Sequence, residues 1–145
     1  MACNSGRRPQ HEDENTDLLG LVGTEVEHLR AQGFQIIMLG DMNSWTGEEG
    51  RYGIPGSRRD VNFNGQLLSD FLMLKDLDIA NKTPVAQGLF TRFPFNGAGL
   101  PTVLDLVCAD KQIIDRITEF SVDENNVHEI RSDHRYFVVF YSFLS

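Results

Sequence analysis

Phe34-Gln35-Ile36-Ile37-Met38-Leu39-Gly40-Asp41-Met42-Asn43 decides the fold. A short β-branched, apolar run stopped by glycine fits a buried strand, because a strand covered on both faces needs no polar alternation. The polar groups at its end, Asp41 and Asn43, stand where side chains from several elements can converge. Upstream, from Thr16 onward, Leu18, Leu19, Val22, Val26 and Leu29 fall at helical spacing, with Asn15 or Thr16 as N-cap and Gly33 as stop. The polar residues 1–15 ahead of them read as a loop. Downstream, residues 41–62 are polar and glycine-rich, a long loop of the kind that carries function.

The rest of the chain keeps alternating. A helix is expected over 64–76, with Leu67, Leu68, Phe71, Leu72 and Leu74 as its apolar face. A short strand follows at 78–80 and a stronger one at 102–108, the latter carrying an acid, Asp105, inside an apolar run. A short helix at 110–116 precedes strands at 117–122 and 136–143. Strands alternating with helices give a layered α/β class, and 145 residues suit one domain. No apolar run approaches the roughly 20 residues of a membrane helix. Met1 is followed by no apolar core, so no signal peptide is read and an intracellular location, nuclear or cytoplasmic, is expected. Cys3 and Cys108 read as free thiols. The net charge of −8 excludes a broadly basic nucleic-acid surface, so any phosphate must be met by local arginines or a bound cation.

Three polar groups carry the chemistry. Singly, Asp41-Met42-Asn43 reads as a turn, Asp105 as an acid capping nearby backbone, and Ser132-Asp133-His134 as a turn with a solvated histidine. Together, carboxylates and an imidazole at separate strand ends suit metal-assisted phosphate hydrolysis. Asp133 is a candidate oxygen ligand for Mg²⁺ or Mn²⁺, a hard cation that takes one or two carboxylates plus waters and phosphate oxygens. Asp41 can orient or deprotonate the attacking water, and Asn43 can donate to a phosphate oxygen. His134 can stabilise the developing charge, with Asp105 fixing its tautomer. A Ser132 nucleophile is disfavoured, since Ser132 lies too near His134 in sequence and no nucleophile elbow occurs. No phosphate loop, dinucleotide fingerprint or zinc-protease helix occurs either.

The Gly40-Asp41-Met42-Asn43 segment, the Thr102-Val103-Leu104-Asp105-Leu106-Val107 strand and the closing Ser132-Asp133-His134-Arg135 resemble, in order and spacing, three motifs of the endonuclease/exonuclease/phosphatase superfamily. Asn62-Phe63-Asn64-Gly65-Gln66-Leu67-Leu68, Phe71, Ile79-Ala80-Asn81 and Thr91-Arg92 further resemble its retroelement-type endonucleases. The resemblance implies Asp41 as the acid at the water, Asn43 and His134 as phosphate contacts, Asp105 as the partner of His134 and Asp133 as the metal-side acid. Asn4, in Ala2-Cys3-Asn4-Ser5-Gly6, resembles a phosphate-contacting asparagine of the family. Met42 stands where an aromatic or Leu is usual, a volume-tolerant exchange.

The resemblance also implies a departure. No Gln-Glu strand motif, the family's principal metal-ligand segment, precedes Gly40. Residues 1–145 therefore match the C-terminal half of the fold: half of a four-layered α/β sandwich, a mixed or antiparallel sheet flanked by helices. A sheet deprived of its partner would present an apolar face, so a homodimer or a partner covering that face is expected. Metal affinity should fall with ligand count. The implied activity is metal-dependent phosphodiester hydrolysis on DNA. The alternatives are a non-catalytic remnant that binds a partner, and a phosphatase acting on phosphomonoesters, inositol phosphates or phospholipid headgroups. Arg7, Arg8, Arg51, Arg58, Arg59, Arg92, Arg131 and Arg135 either line the cleft mouth or lie solvated, and Trp45 and Tyr52 either stack on a base or pack the loop. His11, His28 and His128 read as solvated surface.

Overall fold

Residues 10–15, expected as part of a loop, fold as helix. In the computed structural model, which describes residues 10–58 and 60–143, helix α1 runs Gln10–Ala31. Glu12 and Asp13 stand in its first turn and His28 and Arg30 in its last, so each end carries the charge that complements the helix dipole. The expected caps therefore lie inside the helix. Thr16 Oγ1 donates to the Glu12 carbonyl, and Asn15 Nδ2 donates to Asn64 Oδ1. Leu19, Val22, Val26 and Leu29 pack inward as their spacing requires, while Leu18 is exposed. Cys3 and Asn4 lie outside the described residues.

Helix α2 (Phe63–Leu74) starts at an Asn62 cap whose Oδ1 accepts from Gly65 N at 2.7 Å and from Trp45 N at 3.0 Å. One side chain thus opens the helix and ties down the preceding loop. Only glycine serves at position 65, because a Cβ there would stand 1.8 Å from the Trp45 carbonyl oxygen. The loop over 42–62 is held to the body by Tyr52 and Ile54, both buried in the core. Tyr52 therefore packs the loop, and Trp45 is half-buried beneath the Arg58 guanidinium, 4.2 Å from its ring centre.

Strands β1 (Ile37–Asp41), β2 (Leu77–Ile79), β3 (Ala86–Gln87), β4 (Asp105–Asp110), β5 (Ile117–Val122) and β6 (Phe137–Tyr141) form two three-stranded sheets. The first has the order β1-β4-β2 and is antiparallel; the second, β3-β5-β6, is mixed. The fold is α/β, as expected, but the single expected sheet is two. Strand β4 joins them by simple alternation. Leu106 and Cys108 pack with Leu68, Phe71 and Leu72 of α2, while Val107 points the other way onto Ile117 and Phe120 of the second sheet. Residues 102–104, expected in this strand, lead into it instead, with Thr102 making only an isolated bridge to Arg92.

β1 is not the strand buried on both faces that its composition suggests. It is an edge strand. Its residues Ile37 and Leu39 share the face of Val107, but the second sheet reaches β4 and stops there, leaving Leu39 63% exposed. Cys108 is the free thiol of the described residues; full burial pushes it up to about 12 and leaves it without nucleophilic character at neutral pH. Among the described residues no helix is long and apolar enough to cross a membrane.

Two substitutions separate the faces of this sheet. Leu106→Ala removes a fully buried side chain and should cost about 2–5 kcal/mol in denaturant unfolding. Leu39→Ala should stay within about 0.5 kcal/mol. A comparable loss at both positions would mean that the Leu39 face is covered in solution.

Candidate active site

The antiparallel register of β1 and β4 sets Asp41 directly opposite Asp105. Both carboxylates rise from the same face at the same end of the sheet, and the Met42 N–H, donating to the Leu104 carbonyl at 2.9 Å, extends the ladder past them. Like charges directly opposite one another destabilise a strand pair. Here the imidazole of His134 stands between them. Its Nδ1 lies 2.7 Å from Asp105 Oδ2 and its Nε2 lies 3.8 Å from Asp41 Oδ2. A carboxylate only accepts, so Asp105 places the imidazole proton on Nδ1 and turns Nε2 toward Asp41 and solvent. Exposure follows the same order: the side chains of Asp105, His134 and Asp41 are 14%, 31% and 48% exposed.

Each member is fixed by its own local chemistry. Asn43 adopts a left-handed backbone (φ 44°), which asparagine tolerates, and its N–H donates to Asp41 Oδ1 at 2.8 Å. That turn occupies one oxygen of Asp41 and leaves the other toward His134. The Asn43 carbonyl accepts in turn from Asn64 Nδ2 on α2, and a cleft of about 220 Å³ opens beside Asp41, Asn43 and Asn64. Ser132 acts as a turn residue, its Oγ accepting from His134 N at 3.0 Å. Asp41, Asp105 and His134 thus offer ligand atoms within 4.8 Å of one another.

Asp133 is placed differently. Its Oδ2 accepts from Arg92 Nε at 3.0 Å, and it is not one of the three residues in that group. The Arg92 guanidinium holds the Asp133 carboxyl below its usual range, with the charge of His134 adding to the effect. Arg92 has a place in the resemblance, but nothing local in the chain points to its partner. Two other arginines have partners of their own: Arg51 pairs with Asp76 and Asp78, and Arg135 lies over the Phe93 ring and donates to the Ser132 carbonyl. His11 is exposed, as are His28, which bonds Gln32, and His128, whose ring lies against Tyr136.

The Arg92–Asp133 pair makes its own prediction. A carboxyl ¹³C titration should place the Asp133 midpoint below the ordinary 3.8, and Arg92→Gln should move it back up. Because the folded value is lowered, the stabilisation is present above the unfolded value and is lost as pH falls through the folded one. An unchanged midpoint in the variant contradicts the pairing.

No protein-family model matches the sequence, and no curated protein matches it. Solved structures do. A variant of the 3′ phosphatase NExo from Neisseria, bound to a product DNA hairpin, is similar at 17% identity with a TM-score of 0.67, over 91% of this chain and 53% of the other. The endonuclease domain of TRAS1, a telomere-specific non-LTR retrotransposon, is similar at 22% identity with a TM-score of 0.58, over 87% of this chain and 52% of the other. The chain therefore spans about half the length of the structures it matches. Over that span its fold is similar to that of these two proteins.

Proposed function

We propose that the chain is a divalent-cation-dependent phosphodiester hydrolase acting on DNA as an endonuclease does. The observation that carries this reading is the line Asp105–His134–Asp41, in which an oriented imidazole presents Nε2 beside a half-exposed carboxylate. In this reading Asp41 takes the proton of the attacking water or aligns that water, with Asn43 donating to a phosphate oxygen. His134, held by Asp105, donates from Nε2 when protonated to the negative charge that grows on the phosphate.

The residues present fit a hard divalent cation. Two carboxylates and an imidazole converge, and Mg²⁺ or Mn²⁺ takes one or two carboxylates and fills its remaining positions with water and phosphate oxygens. Asp41 and Asp105 would hold it, while Asp133 is paired with Arg92. When bound, such a cation polarises a phosphoryl oxygen and lowers the pKa of a coordinated water. A cation also answers the electrostatics, because the chain carries a net −8 and the nearby Arg92 is already paired to Asp133.

DNA as substrate is supported by the two similar structures, one bound to a DNA hairpin and the other a retrotransposon endonuclease domain. A phosphomonoesterase reading of the same site is favoured by the first of them, a 3′ phosphatase. A non-catalytic, partner-binding reading is favoured by the open face of β1, where Ile37 and Leu39 lie exposed for a second copy or another protein to cover.

Supercoiled plasmid incubated with Mg²⁺ or Mn²⁺ should be nicked, and Asp41→Ala and His134→Ala should each lower the rate by about 10²–10⁴-fold. Nicking that survives both substitutions would falsify the assignment. Release of phosphate from a 3′-phosphorylated hairpin without plasmid nicking selects the phosphomonoesterase. Failure of both reactions, with no heat of metal binding, selects the partner-binding reading.

A further inference from the structure

The Asp105–His134 bond depends on a stretch of β4 that lacks a neighbouring strand on one side. β1 pairs with β4 along Asp105–Ala109, but β2 pairs only with Cys108, Ala109 and Asp110. The backbone groups of Leu104, Asp105 and Val107 that β1 does not reach would be left without a ladder partner, which buried groups rarely tolerate. Two buried side chains take the place of the missing strand. Asn81, 4% exposed in the turn after β2, donates from Nδ2 to the Asp105 carbonyl at 3.0 Å and accepts at Oδ1 from Val107 N at 2.9 Å. It thereby bonds residues two apart, as the peptide of an adjacent strand does. Thr91, fully buried, accepts at Oγ1 from Leu104 N at 2.9 Å and from Asp105 N at 3.0 Å.

Thr91 also reaches the other partner. The Thr91 carbonyl accepts from Arg135 N at 2.6 Å, and the next residue, Arg92, bridges Thr102 on one side and His134 on the other. Phe93 N donates to the Asp133 carbonyl at 2.7 Å. The segment Thr91-Arg92-Phe93 is thus inserted between the chain that leads into Asp105 and the chain that carries His134. Its side chain at Thr91 fixes one, and its backbone fixes the other.

We infer that Thr91 and Asn81 are positioning residues, a two-sided clamp on the backbone of Asp105 that sets the Asp105–His134 hydrogen bond and with it the imidazole tautomer. The inference deepens the hydrolase reading and rests on it for its catalytic consequence. The structural consequence is independent of that reading. Thr91→Val keeps the shape and removes the acceptor; Thr91→Ser keeps the acceptor; Asn81→Ala removes the other arm.

The test measures ¹⁵N shifts of the His134 imidazole in the full chain at a pH where the ring is neutral, alongside steady-state nicking. In the unmodified chain and in Thr91→Ser, one tautomer with the proton on Nδ1 is expected. In Thr91→Val and Asn81→Ala both tautomers should appear, and kcat should fall by about 10–100-fold with KM near its original value. Folded variants that keep a single Nδ1–H tautomer overturn the inference, whether or not their melting temperature drops. Failure of both variants to fold also overturns it, in favour of a purely structural role. If the chain nicks no DNA, the hydrolase reading fails while the tautomer measurement still decides the clamp.

Discussion

The candidate site hangs on the strand register that puts Asp41 opposite Asp105. A slip of one residue would turn one carboxylate to the helix face, where Met38, Leu106 and Cys108 pack, and the two would no longer meet. The register is fixed from the apolar side, because Leu106 and Cys108 have room only against α2 and Val107 only against the second sheet. Burial of the core therefore imposes a like-charge pair at the rim that no strand would choose on its own account. His134 makes the pair tolerable, and a cation would do so further. A local rule broken at the end of an otherwise consistent strand is the signature expected of a functional position.

The same economy governs the arginines. In a chain of net −8, several of the described arginines are committed to partners within the fold. Arg92 binds Asp133, Arg135 lies over Phe93, and Arg51 closes on two aspartates behind β2. The cleft beside Asp41 and Asn43 is lined by three asparagines, Ser44 and five apolar side chains, with no lysine or arginine among the described residues. On the proposed reading, such a surface would meet a phosphate through directed hydrogen bonds and a bound cation rather than through a general field.

The sequence made the site more legible than its supports. Asp105 stood out because an acid in an apolar run needs a partner, and that partner is His134 at 2.7 Å. The helices were legible in their apolar faces and misplaced at their ends: residues 10–15 looked like loop because they have no apolar periodicity, yet the acids Glu12 and Asp13 suit a helix N-terminus. β1 looked buried because its composition is that of an interior strand, and nothing local reveals that the second sheet stops at Val107. β3, two residues long, carries no periodicity to read. Thr91 and Asn81 drew no role because a threonine and an asparagine are ordinary surface residues until the fold buries them. Asp133 looked like a free carboxylate because Arg92 lies far away in sequence, across the chain reversal that brings them together.

The most direct test is a crystal structure of the chain with a non-hydrolysable dinucleotide phosphorothioate. The phosphate should lie within hydrogen-bond reach of His134 Nε2 and the Asn43 amide, with Asp105 still on His134 Nδ1 and Asp41 facing the phosphorus. A phosphate bound elsewhere, or Asp41 and Asp105 on opposite faces of the sheet, would contradict the account.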